Sequence, residues 1–268
     1  MNHKSTAISE LTKGSPDRFG YSWDHYAELL PDHEEQFLRW TGLDKDFWRG
    51  VRFVDGGCGI GRNSYWPMTY GAAGGVAVDV DDRTIGRARS NLAGFPGVDV
   101  RKQSIYDIAE SDSFDIAFSI GVVHHLSDPD AAVASLARSV KPNGEVLVWL
   151  YGRENNGWIV HLFNPLRRAL FSRLPLSLVH TLSWPLTALL WCGLRIGVPP
   201  GPYYRLIRGF SFGHLRAIVF DHMIPRIAHY YRRAEAEALL SRAGLVDIRS
   251  TWVNHNSWSV IGRKPIGC

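Results

Sequence analysis

Residues Val51 to Arg62 read V-R-F-V-D-G-G-C-G-I-G-R, and residues Gly74 to Asp82 read G-G-V-A-V-D-V-D-D. The apolar runs Val51–Val54 and Val76–Val78 have the length and β-branching of buried parallel strands. Each run ends in an acid, Asp55 and Asp79, 24 residues apart. Gly57, Gly59 and Gly61 follow the first acid at every second position, where a helix is predicted to begin. Glycine lacks the Cβ that would keep a ligand away from the main chain, so backbone and ligand meet here.

The spacing narrows the ligand. A dinucleotide fingerprint, G-x-G-x-x-G, needs a third glycine where this chain has Arg62 or Ser64. Asp55 would also repel a pyrophosphate. A carboxylate suits a ligand with a positive end, such as the ammonium and sulfonium of S-adenosylmethionine (SAM), and Asp79 suits ribose hydroxyls. On Phe53–Gly61 and Asp79 the chain resembles the class I SAM-dependent methyltransferases, whose first motif joins two hydrophobic residues to an acid and alternating glycines. F-D-I-A-F-S-I-G-V-V-H-H-L (Phe114–Leu126) resembles that family's fourth strand and following loop, and V-K-P-N-G-E-V-L-V-W-L (Val140–Leu150) the turn into its fifth strand. The likeness is good over residues 50–150 and weak over the final 35 residues.

The resemblance implies an α/β fold: a Rossmann-like seven-stranded sheet, five strands parallel plus a terminal hairpin, with helices on both faces. It implies SAM as cofactor, held by Asp55, Gly57, Cys58, Gly59, Gly61, Arg62, Asp79, Val80, Ser104, Ile105, Ser119 and Ile120. Many relatives have a G-D pair where this chain has Gln103-Ser104-Ile105, and that acid binds the adenine amino group. Here either Ser104 and Ile105 hold the adenine with less polarity, or Asp107 substitutes.

Composition sets the outer limits. With 268 residues, 45% hydrophobic and 12% aromatic, the chain can bury a sizeable core. Cys58, Cys192 and Cys268 are odd in number and far apart, giving neither a disulfide framework nor a metal-ligand spacing, as in a reducing cytoplasm. The first ten residues carry no apolar signal-peptide core. No metal is expected.

In chain order, residues 1–45 read as an aromatic and helical lid, with Tyr21, Trp23 and Tyr26 as acceptor-binding candidates and a helix from Pro31 to Thr41. Residues 46–152 are the SAM-binding core. Asp128 and Pro129 read as cap and first turn of a helix, and Val98–Lys102 as a strand. Residues 153–230 interrupt the βα alternation. Arg153 to Arg233 holds eleven Arg, no Lys and only two acids, a net +9 against −5 elsewhere. Within it, Leu174–Leu194 is 21 residues without formal charge. Pro175, Pro185 and His180 argue against a membrane span. A buried cap helix or an interfacial helix on a membrane are the readings that remain, with Arg167, Arg168 and Arg173 offered to anionic headgroups. Residues 231–268 read as a helix, Tyr231–Gly244, then strands Leu245–Val253 and Ser257–Arg263.

Methyl transfer is mainly a matter of alignment, and a base is needed only when the acceptor is protonated. Candidate bases are His125 and His124 after the fourth strand, and His222, His229 and Tyr230 after the insertion. The expected function is methyl transfer to O or N of a small-molecule acceptor: lipid-linked, glycosylated or anionic. The alternatives are an RNA-modifying methyltransferase, which the absence of Lys from the basic insertion and of an appended RNA-binding module disfavours, or a non-catalytic SAM-fold binding protein.

Overall fold

Strand β1 (Arg52–Gly56) is central in a seven-stranded sheet with the order β3-β2-β1-β4-β5-β7-β6. The others are β2 (Gly74–Asp79), β3 (Val98–Lys102), β4 (Phe114–Ile120), β5 (Val140–Tyr151), β6 (Val246–Val253) and β7 (Ser257–Arg263). The first five run parallel, and β7 pairs antiparallel with both β5 and β6. The chain winds outward from β1 to β3, then crosses back to β4. A crevice therefore opens between the carboxyl ends of β1 and β4, where open α/β sheets bind ligands. The computed structural model describes residues 14–25, 28–29, 32–198 and 200–267; Tyr26 lies outside them.

Period-two alternation decides what each strand residue faces. Val54 joins one apolar layer with Val76, Ala117, Leu136 and Leu240. Phe53 joins the opposite layer with Phe37, Trp48, Trp66, Phe118 and Trp149. Helices α1 (Pro16–His25), α2 (Asp32–Thr41), α3 (Arg62–Thr69), α4 (Asp82–Asn91) and α5 (Pro129–Ser139) follow in chain order. Asp128 accepts from the Ala131 N–H at 3.0 Å with Pro129 in the first turn, as the spacing predicts. Asp81 caps α4 by accepting from the N–H groups of Arg83 and Thr84. Helix α2 anchors the lid segment, because Phe37 is fully buried in the second layer.

The insertion is helical. Residues 159–171 form wide, mostly π-type turns. The uncharged run forms α6 (Leu176–Arg195), with Pro185 inside it; α7 (Pro202–Ile207) and α8 (Phe212–Met223) follow. Helix α9 (Arg233–Arg242) then returns the chain to the sheet. Phe171, Val179, Phe220, Met223 and Ile224 form a separate small core, against which Phe19 and Tyr21 of α1 pack. Arg18 clamps α1 down by donating from Nη2 to Phe171 O at 2.9 Å. Among the described residues no helix is long and apolar enough to cross a membrane.

Candidate active site

A cleft of about 1070 Å³ runs along the strand ends between the sheet, α1 and the insertion. Its volume lies just above the range for single small-ligand sites, ~300–1,000 Å³, leaving room for more than one small molecule.

One half is built by the glycine loop. Gly57 and Cys58 donate their N–H groups to Val78 O at 2.8 and 2.9 Å, which folds the loop back over β2. Gly57, Gly59 and Gly61 all have positive φ, at 82°, 53° and 78°. At Gly57 a second constraint is added, since a Cβ there would sit 2.6 Å from Val122 Cγ2. Asp79 Oδ2 accepts from the Gly59 N–H at 2.9 Å, and Oδ1 from the N–H groups of Val80 and Asp81. Burial raises the Asp79 carboxyl, and those backbone donors oppose the rise. Arg62 lies over the rings of Trp23 and Trp40, 5.1 and 5.5 Å from their centroids. Burial lowers it to about 10, so it stays charged at neutral pH; the Asp221 carboxylate works the other way.

These residues fit SAM. The wall offers Asp79 for a ribose diol, Arg62 for a carboxylate, and a main chain bared by Gly57 and Gly59. Gln103, Ser104 and Ile105 line the cleft beside Asp79 and Asp107 does not.

The other half is polar and aromatic. His125 Nδ1 lies 2.8 Å from Ile227 O, so that nitrogen carries the proton and donates. Its lone pair is therefore on Nε2. The ring lines the cleft with Phe19 4.8 Å away. Burial lowers His125 to about 3, with the positive Arg167 adding to the effect and the bond to Ile227 opposing it. Tyr151, His222 and Tyr230 gather beside it, Tyr151 with its ring centroid 5.4 Å from that of His125 and 5.5 and 5.4 Å from those of His222 and Tyr230. Asp221 accepts from Ser22 Oγ at 2.7 Å, and burial raises it to about 6.

Gly57, Cys58, Gly59, Arg62, Asp79, Val80, Ser104, Ile105, Ile120, His125, His222, Tyr230 and Trp23 line this cleft. Six other expected residues do not. Asp55 shares the Phe53 face of β1 and points under the loop toward α3, where Ser64 donates to its Oδ2 at 2.7 Å. Its Oδ1 is buried without a partner among the described residues, and burial raises the carboxyl to about 7. Gly61 is the left-handed residue starting α3, packed against Leu92 and Ala88. Ser119 is spent inside the sheet, donating to Gly56 O at 2.6 Å. Tyr21 faces Phe220 and His180 in the small core. His124 is wholly buried against Tyr151, ring centroids 4.0 Å apart. His229 is exposed and binds Leu126 O and His124 O. Asp221, Tyr151, Asn156 and Tyr203 line the cleft without having been singled out as site residues. For Tyr151 the signal was present, since it ends β5 on the ligand rim.

Residues 54–148 match the family described as "Methyltransferase domain". The chain is 36% identical over 163 residues to a ubiquinone biosynthesis O-methyltransferase of Sinorhizobium fredii, covering 53% of this chain and 65% of that protein. It is 29% identical over 151 residues to the enzyme of the same name from Dechloromonas aromatica, again covering 53% and 65%. The chain thus spans a little under two thirds of these relatives. Two solved structures share the fold: an O-methyltransferase family protein from Burkholderia thailandensis (TM-score 0.55, 13% identity, 94% of this chain and 60% of that one), and magnesium protoporphyrin IX methyltransferase from Synechocystis PCC 6803 with bound SAH (TM-score 0.52, 13% identity, 87% and 82%). The family match ends at residue 148, so the insertion that roofs the cleft lies beyond it.

Proposed function

The chain belongs to the class I SAM-dependent methyltransferase family, and we propose that it methylates an oxygen of a small phenolic acceptor held beneath α1 and the insertion. The observation that carries this reading is the His125 ring, on the cleft wall with its proton fixed on Nδ1 by Ile227 O. Bound SAM supplies a methyl group on an electron-poor sulfur, so the chain's own task is to align an oxygen and receive its proton. Asp79 would hold the ribose and Arg62 the carboxylate. Phe19, Trp149 and Tyr151 give the acceptor half apolar faces on which an aromatic ring can rest.

The magnitudes set the timing of proton transfer. A phenol near pKa ~10 facing an imidazole near 3 opposes complete transfer before reaction by roughly 10 kcal/mol, at about 1.4 kcal/mol per unit. His125 therefore accepts the proton only as the new C–O bond forms and the oxygen becomes acidic. The O-methyltransferase names of the relatives support oxygen over nitrogen as the acceptor atom.

The test uses labelled SAM and a panel of catechols and phenols. His125→Gln should lower turnover about 100-fold or more while SAM affinity stays within a few-fold. Equal loss of turnover and SAM binding would overturn the role of His125, and no transfer to any phenol or catechol would overturn the acceptor class.

A second reading concerns location. Ten of the twelve exposed large apolar side chains among the described residues fall between Trp158 and Val198, including Leu162, Leu189 and Ile196. Exposed Arg168, Arg173 and Arg195 share this region. That pairing supports peripheral contact with an anionic membrane surface. Flotation with phosphatidylglycerol vesicles should show salt-sensitive binding that is lost in Leu162→Ser/Leu189→Ser. Binding to neither anionic nor neutral vesicles would overturn it.

A further inference from the structure

Arg167 does not join those surface arginines. It is 1% exposed, on the wide-turned segment 159–171, behind the Tyr151–His222–Tyr230 face of the cleft. A buried guanidinium ordinarily has a carboxylate beside it, because removing a charge from water is costly. Among the described residues no acid influences it; its neighbours are the phenols of Tyr230, within weak hydrogen-bonding range, and Tyr151, and the positive Arg168. Nor is it seated on a ring face; among the described residues the arginines so placed are Arg62 and Arg195.

The pattern of its unused donors is specific. Nε and Nη2 are both buried without a hydrogen-bond partner. These two N–H groups point the same way and are spaced to meet both oxygens of a carboxylate. Two further polar atoms flank it: Tyr230 Oη, close enough to the guanidinium for a weak hydrogen bond, and His222 Nδ1, buried without a partner among the described residues. Native interiors rarely leave several polar atoms unmatched in one place, and such a cluster calls for a missing ligand.

We propose that Arg167, directly behind the Tyr230 and His222 wall of the acceptor pocket, binds the acceptor's anionic group when those two side chains part, and that the methyl acceptor is an aromatic carboxylate. Nε and Nη2 take the two carboxylate oxygens, and Tyr230 Oη and His222 Nδ1 supply flanking donors. A single guanidinium balances a carboxylate, whereas a phosphate monoester carries ≈ −1.5 to −2 charge and would stay underneutralised. The bound anion has a consequence for the reaction, because Arg167 is one of the groups that hold both His125 and His222 low. Neutralising it raises His125, so an acid group on the acceptor makes its own base stronger.

This rests on the acceptor occupying the cleft proposed above, but its test needs no turnover. Benzoate and its neutral isostere benzamide are titrated into the SAH-loaded protein by calorimetry. Benzoate should bind at least tenfold more tightly. Arg167→Gln should erase that preference, and Arg167→Lys should recover part of it, keeping the charge and losing the fork. In the unmutated protein, benzoate should also shift the Arg167 Nε–H resonance and slow its exchange with solvent, which covers the case of a variant that fails to fold. Equal binding of the two probes, no binding of either, or an Nε–H signal indifferent to benzoate would overturn the proposal. Failure to methylate phenols would leave these measurements untouched.

Discussion

Ser22 Oγ donates to Asp221 Oδ1 at 2.7 Å, joining α1 to α8 across 199 positions of sequence and closing the roof over the cleft. The acceptor in this bond is a carboxylate that burial raises to about 6, with Ser22 and Arg62 pulling it back down. A hydrogen bond to a charged group contributes about 1.5–3 kcal/mol. Ser22→Ala should therefore speed hydrogen exchange in α1 by roughly 10- to 100-fold while leaving exchange in β1 and β4 unchanged. Unaltered exchange in α1 would mean that Arg18 and the small apolar core hold the roof without it.

Asp79, the residue proposed to bind the ribose, is held on the cleft wall by three backbone N–H groups. Asp79→Ala removes the charge-assisted bonds to the ribose and also frees the Gly59 N–H. SAM affinity, by calorimetry, should fall by about 1–3 kcal/mol, and free adenosine should weaken in parallel. Loss of SAM binding with adenosine unaffected would place the residue at the methionine end instead.

Gly57 faces two obstacles to a side chain: φ of 82° and Val122 Cγ2 at 2.6 Å from the added carbon. Gly57→Ala should cost both. Gly57→Ala/Val122→Ala should recover the steric part and retain a left-handed penalty of about 1–2 kcal/mol. Thermal unfolding of the two single variants and the double variant separates these contributions.

Stability should fall on the acid side. His125 at about 3 and His222 at about 4 are depressed by burial, so between those values and 6.5 the unfolded chain binds more protons than the native one. Their contribution is lost as pH falls through that window. Asp55 at about 7 and Asp221 at about 6 act oppositely, since the native state holds protons that the unfolded chain has released above 3.8. The two pairs thus oppose each other across this range. His124 and His33, the latter at about 3, are also held low by burial and tip the balance toward loss of stability in acid, against the raised Asp79. The urea midpoint should drop from pH 6.5 to 4.5, less steeply in His125→Asn and more steeply in Asp221→Asn.

Much of the core was legible because its signals are local. Alternating apolar residues, an acid before glycines, and the Asp128-Pro129 cap gave the strands and helix starts, including Val98–Lys102 to the residue. The direction of Asp55 was not, because a glycine motif names the residue and not the face of β1 on which it lies. Adjacent His124 and His125 divide into one packing ring and one cleft ring for the same reason. Arg167 and Asp221 belong to helices that reach the cleft through packing with α1 and the strand ends, and no spacing in the sequence records that. The charge count read Arg167 as one of a surface set; its burial is what gives it a distinct role.

The placement of β7 between β5 and β6 has a consequence in time. Strand β5 offers one edge to β4 and the other to β7, which begins at Ser257. A ribosome adding ~5–20 residues per second needs on the order of 5–20 seconds to supply the intervening chain. Throughout that interval the nascent sheet displays an unpaired Val146–Leu150 ribbon while the leucine- and tryptophan-rich insertion emerges beside it. Unpaired edges of that kind recruit other strands. The polypeptide is accordingly most exposed to misassembly late in synthesis, and a chaperone would have the most to do in those seconds.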